Sequence, residues 1–202
     1  MSQTNGSGIW LEVVTGGDPQ QLDSFYRGGR IAALRDLPGL VRLRRLAEVD
    51  GPRTVVVAEL TDIGAARPVL HRAPPLDEAP APQKRGLFAA ALPGAEHGEN
   101  DGPGVTFLVM MAVDRPREDE YNRWYDSEHI PILLQHDGWL GARRYRCESS
   151  VAEYVTIYRV AHPRVVTPAV RAAVRATDWS RDMLASAFVT HTRAFLTGAK
   201  ED

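Results

Sequence analysis

The sequence predicts an α+β fold built from two tandem βαββαβ units. Three observations carry that reading: the chain repeats itself about 99 positions on, strand-like and helix-like segments recur in the same order in each half, and a polar, turn-rich stretch separates the halves. Its 202 residues are enough to bury a sizeable core. A hydrophobic content of 44% with 25% charged residues is that of a globular protein and excludes wholesale disorder. The net charge of −2 gives no electrostatic reason to expect nucleic acid or an acidic membrane as partner. Cys147 is the single cysteine, so no internal disulfide or zinc cluster is expected, which fits a reducing compartment. The opening MSQTNGSG lacks the apolar core of a signal peptide, and no apolar run is long enough to span a bilayer. A cytoplasmic location is therefore expected. Of the 24 basic residues only Lys84 and Lys200 are lysines; the 22 arginines are read as coding bias, not as a binding surface.

At a shift of 99, Phe25-Tyr26 falls on Trp124-Tyr125, Arg30-Ile31 on His129-Ile130, Gly39 on Gly138 and Arg44-Arg45 on Arg143-Arg144. Ile9 to Val14 falls on Leu108 to Val113 at the same shift, and Arg53 to Leu60 falls on Glu153 to Val160 at a shift of 100. In the second half, Val105 to Val113 is a continuous apolar run of strand length, expected to be buried on both faces. Glu118 to about Ile130 has helical spacing and opens with acidic residues, and Pro131 should kink or end that helix. Ala142 to Cys147 and Tyr154 to Val160 read as strands. Thr167-Pro168 opens a helix expected to run to about Asp178, with a further helical turn from Trp179, and His191 to Leu196 closes as a strand. The first half follows the same plan to Leu60. Its second helix, near Ala65 to His71, is short, the prolines at 74, 75, 80 and 82 predict extended loop, and Leu87 to Leu92 supplies the fourth strand. The expected organisation is a unit over 1–92, a linker over 93–104 and a second unit over 105–202.

A βαββαβ unit is the ferredoxin-like arrangement, with helices on one face of an antiparallel sheet. The other face must also be covered. Two units in one chain can cover those faces mutually, which predicts a barrel-type core with the helices outside.

The first helix of the second half carries the chemistry. At helical spacing Tyr121, Trp124, Tyr125, Glu128 and Ile132 share one arc, with His129 at its edge, while Arg123, Asp126 and Ser127 point the other way. A carboxylate on an apolar arc needs a partner. One reading pairs Glu128 with Arg143, Arg144 or Arg146 and leaves His129 to cap the helix. The other puts Glu128 and His129 on a small-molecule pocket, with His129 as general acid/base and Glu128 setting its protonation. The first half has Gly29 and Arg30 at these positions, as expected if only one of two sibling pockets works.

The segment from Glu120 to Arg146 resembles the signature of the dimeric α/β-barrel superfamily, in its EthD-like branch. The matching positions are Tyr121, Trp124, Tyr125, Glu128, His129, Pro131, Gly138, Arg143, Arg144 and Tyr145, with Tyr121 where phenylalanine is usual. The resemblance implies two ferredoxin-like units forming one dimeric α/β-barrel-type core, here fused in one chain, and a pocket between helices and sheet suited to aromatic or polyketide-like substrates. It implies little about the reaction, since relatives include cyclases, isomerases, cofactor-free monooxygenases, a lyase and haem enzymes.

The expected function is a cofactor-independent cyclase, isomerase or lyase of secondary metabolism, with His129 as base and Glu128 as its orienting partner. Tyr121, Trp124, Tyr125, Tyr158 and one of Arg143 or Arg144 would bind substrate and hold an oxyanion. No metal is expected, because Pro131 breaks the register between His129 and His136 and no H-E-x-x-H spacing occurs. Nothing singles out His162 or His191 as a haem ligand. Cys147 reads as a small buried hydrophobe, and Trp139 and Trp179 as core or pocket wall. A cofactor-free monooxygenase and a non-catalytic ligand carrier remain as rivals, and a homodimer of such chains stays open.

Overall fold

The computed structural model describes residues 6–148 and 152–198, without the side chains of 188–193. The fold is α+β, with eight strands in antiparallel pairing and two compact units, one running to Ala91 and taking up the chain again from Leu196, the other spanning Leu92–Phe195.

In the first unit, β1 (Gly8–Thr15) is followed by α1 (Pro19–Phe25), a π-turn (Tyr26–Arg30) and α2 (Ile31–Arg35). Then come β2 (Leu40–Glu48), β3 (Arg53–Leu60), α3 (Ile63–Leu70) and the start of β4 (Gln83–Gly98). Asp18 and Asp62 cap α1 and α3 by accepting backbone N–H groups, as short polar side chains do at helix starts. The sheet order is β4–β1–β3–β2, with the end of β8 (Ala187–Gly198) against β2. Trp10, Tyr26, Leu34, Val56 and Phe88 belong to its helix-side core.

The second unit has β5 (Val105–Val113), α4 (Glu118–Trp124), a π-turn (Tyr125–His129), α5 (Ile130–Leu134), β6 (Trp139–Cys147), β7 (Ala152–Val160), α6 (Pro168–Ala173) and α7 (Asp178–Ser186). Its sheet runs β4–β6–β7–β5. Phe107 to Val113 are buried at every position, as the apolar run predicted. Phe107, Met111, Trp124, Tyr125 and Tyr158 belong to a core distinct from that of the first unit.

Four expectations are corrected. Pro131 does not end the helix, which continues to Leu134. The π-turn explains why: the Ile130 N–H bonds the Tyr125 carbonyl five residues back, and Pro131 falls in the first turn of α5, where a missing N–H costs nothing. The helix opened by Thr167 stops at Ala173, because Thr177 caps a separate helix, α7, by accepting the Ser180 N–H at 3.0 Å. Pro93–Gly98, expected as linker, continue β4; Ala95 is buried there, and Glu96 and His97 reach Arg143 and Asp126.

The fourth correction concerns the repeat. β2 and β6 each carry a bulge at the matching place, Leu40/Arg42 against Trp139/Gly141, which agrees with shifts of 99 and 100 there. For the first strands the shift is 97, because Trp10 opposes Ala58 as Phe107 opposes Tyr158. A slide of two residues keeps every side chain on its own face, so hydrophobic pattern alone does not detect it.

Candidate active site

The site lies within the second unit, between β5–β7–β6 and the helices. The widened turn at Tyr125–His129 brings successive aromatic residues inward: the His129 ring centroid is 4.6 Å from that of Tyr125 and 4.7 Å from that of Trp124. Below them lies a partly open cavity of about 40 Å³, room for roughly three waters. Phe107, Val109, Met111, Leu133, Trp139 and Leu184 give it apolar walls; Tyr125, His129 and Tyr158 supply polar atoms; Val170, Arg171, Val174 and Arg175 bring in α6 and the turn after it. Trp139 and Phe107 stand edge-on to one another, and both flank the Tyr158 ring.

The Tyr125 and Tyr158 hydroxyls are 2.6 Å apart and buried. Two phenols hold two protons, and one hydrogen bond between them uses one, which leaves one O–H for a ligand oxygen. Burial, reinforced by the neighbouring Tyr125, pushes the Tyr158 phenol well above its ordinary value, so it stays protonated at neutral pH, and either hydroxyl of the pair can be the donor between them.

Glu128 does something different from what the sequence suggested. Its Oε1 accepts from Thr177 Oγ1 at 2.6 Å, Ser180 Oγ at 3.0 Å and Trp124 Nε1 at 3.1 Å. It pairs with no sheet arginine in the described structure. The carboxylate ties α4 to the start of α7, and Thr177 both donates to it and caps α7. Glu128 is thus a positioning residue for the elements around the cavity.

The arginines are corrected as well. Arg144 is buried on the helix-facing side of β6, donating to Asp126 Oδ2 at 2.7 Å and Asn122 Oδ1 at 2.8 Å, with its Cζ 4.3 Å from the Tyr125 ring centroid. It braces the back of Tyr125 and does not line the cavity. Asp126, expected to face outward, is its counter-ion, because the π-turn shifts the helical register by a residue. Arg143 points the opposite way, toward Glu96 and Asp101, and is not an oxyanion donor. Arg146 pairs with Glu118 at 2.6 Å. That arginine, first, and the Tyr154 hydroxyl hold the Glu118 carboxyl below its usual range, while burial and Glu118 push Tyr154 up to about 12. Tyr121 is fully buried within the aromatic core, its phenol raised by burial, and also stays off the cavity.

Of the residues singled out from sequence, Tyr125, His129 and Tyr158 meet on the cavity wall; Trp124 and Glu128 support them from behind; Tyr121 and Arg144 lie deeper, and Arg143 lies elsewhere. Phe107, Met111, Arg171 and Arg175 were not foreseen. The strand pairing of Phe107 with Tyr158 was the signal for the first of these, and it becomes visible only once the register is known. Among the described residues no group of three His, Cys, Asp or Glu is placed to hold a metal, and no helix is long and apolar enough to cross a membrane.

The chain matches no protein-family profile, and no curated protein is significantly similar to it in sequence. Solved structures do resemble it along its whole length. An anthrone oxidase-like protein is 12% identical with a TM-score of 0.66, covering 100% of this chain and 97% of its own. A protein from Lactobacillus acidophilus NCFM, named as a candidate monooxygenase, is 9% identical with a TM-score of 0.57, covering 96% of this chain and 94% of its own. A ferredoxin-fold protein from Listeria monocytogenes, related to antibiotic biosynthesis monooxygenases, is 11% identical with a TM-score of 0.54, covering 100% of both chains. At these identities the likeness concerns the fold.

Proposed function

We propose that the second unit is a small-molecule enzyme that moves a proton at a carbon activated by an aromatic ketone. One observation carries this reading: His129 and the Tyr125–Tyr158 hydroxyl pair share the wall of a single apolar cavity with no carboxylate in its lining. The His129 imidazole takes the proton from carbon. The spare phenolic O–H donates to the carbonyl oxygen as negative charge develops, where a fixed donor in an apolar setting is most effective. The rings of Trp124 and Tyr125 against His129 set the plane of its imidazole. Cyclisation, isomerisation or elimination can follow from the enolate formed. On this reading the chain is an internal duplication of one ferredoxin-like half within the EthD-like branch, which the matched bulges and π-turns of the two halves support.

A second reading starts from the same enolate. The anthrone oxidase-like protein and the monooxygenase-related proteins share the fold over their whole lengths, and an electron-rich enolate can itself reduce dioxygen. Oxygen uptake by the purified protein with substrate separates this reading from the first.

Anthrone in deuterated buffer is the test. The protein should speed deuterium entry at the benzylic carbon, read by proton NMR, and His129→Ala should lose roughly 100-fold or more of that acceleration. A wild-type rate equal to buffer across a panel of enolisable aromatic ketones would overturn the proposal, as would full activity in His129→Ala.

A further inference from the structure

The cavity lining contains two charged groups of one sign and none of the other. Arg171 lies on α6 and Arg175 in the turn that follows it; both line the cavity and are solvent-exposed, while Val170 and Val174 line it from buried positions. Neither has an ion pair or hydrogen-bonded acceptor among the described residues, whereas Arg117, Arg143, Arg144, Arg146 and Arg159 of the same unit are all engaged by carboxylates. Asp178, the nearest acidic residue along the chain, is taken by Arg181, which also donates to the Ala176 carbonyl at 2.7 Å. The mouth therefore carries two guanidinium groups free to receive an anion, above an interior that is apolar and aromatic.

We infer that the substrate is an aromatic carboxylic acid, held with a ring against the cavity face of Phe107, Trp139 and Tyr158 and its carboxylate between Arg171 and Arg175. This assignment rests on the proposed function, since it names the substrate class of the same cavity. Two guanidinium forks offer paired N–H donors matching a carboxylate. The arrangement fixes direction: the acid stays at the water-facing end, and the part of the ring system farthest from it enters toward His129 and the tyrosine pair. Arg171 and Arg175 are specificity-determining residues that do not touch the reacting carbon.

The test uses 2-naphthoate and 2-naphthamide, which share a shape and differ in charge, with binding followed by quenching of tryptophan fluorescence. Wild type should bind the acid at least tenfold more tightly than the amide. The ratio should fall to about one in Arg171→Gln/Arg175→Gln, and added salt should weaken the acid far more than the amide. Equal affinity of wild type for both, or a preference that survives in the double variant, would overturn the assignment. Amide binding reports the cavity alone: amide bound without acid preference rejects the arginine role and leaves the cavity reading standing. Binding of neither rejects both. His129→Ala, which should retain the acid preference while losing proton exchange, separates recognition from chemistry.

Discussion

The two units answer the same packing problem in opposite ways. On β1 and the adjoining π-turn of the first unit, Glu12 and Arg30 form a buried ion pair: Arg30 Nε donates to Glu12 Oε1 at 3.0 Å, Trp10 Nε1 donates to the same oxygen at 2.8 Å, and Arg30 Nη1 reaches the Pro74 carbonyl. By strand pairing and helix position, Trp10, Glu12, Arg30 and Ala58 correspond to Phe107, Val109, His129 and Tyr158. Where one unit places an indole and a salt bridge beneath its helix, the other has valine and imidazole there, on the wall of a cavity. The π-turns differ in kind as well: Gly28 and Gly29 make the first a kink, with Gly29 at φ 128°, whereas the second keeps helical angles and a rigid Pro131 beyond it. The first unit accommodates a kink beside its ion pair, and the second keeps its helix continuous through His129.

That contrast can be broken most severely in the first unit. Glu12→Leu leaves Arg30 buried without its counter-ion and should cost about 3–5 kcal/mol in urea unfolding, while Glu12→Leu/Arg30→Met should recover most of it. Next comes an exchange of chemistry. Val109→Glu should cost about 3 kcal/mol as an isolated buried carboxylate, and adding His129→Arg should restore stability, close the cavity and abolish 2-naphthamide binding. If the double variant stays unstable or still binds the amide, the correspondence between units fails. Glu128→Ala removes the acceptor of Thr177, Ser180 and Trp124 and should cost about 2 kcal/mol, with faster hydrogen exchange concentrated in α7. Exchange spread evenly over the unit would deny it that local role.

The smallest effect is acid sensitivity. The carboxyl of Glu118 is held below the ordinary value of 4.5 in the folded state, so its contribution is present above that value and is lost as pH falls through the lowered folded value. Wild type should therefore lose more stability than Glu118→Gln between about pH 5 and pH 3, by under about 1 kcal/mol for a partly exposed pair. Identical acid profiles would contradict the coupling of Glu118 to Arg146.

The βαββαβ order and most strand positions were legible because hydrophobic period and turn residues are local signals. That His129, Tyr125 and Tyr158 come together on one cavity wall was legible because ionisable and aromatic groups converge on one short helix and one strand face. The partners of Glu128 were not, since they depend on Thr177 capping α7, where the sequence predicts that the preceding helix runs on to about Asp178. Nor was Arg144's bond to Asp126, because an i-to-i+5 turn has no residue signature and moves Asp126 to the inner side. Arg171 and Arg175 escaped notice in a chain with so many arginines; what distinguishes them is the cavity beside them and the lack of an acidic neighbour, both facts of tertiary structure.

A crystal structure of the protein soaked with 2-naphthoate tests the contrast between the halves most directly. Ring density flanked by Phe107, Trp139 and Tyr158, with none beside Trp10 and Glu12, is the predicted outcome. Density beside the Glu12–Arg30 pair, or rings resting on the surface away from His129, would show that the later half holds no working pocket.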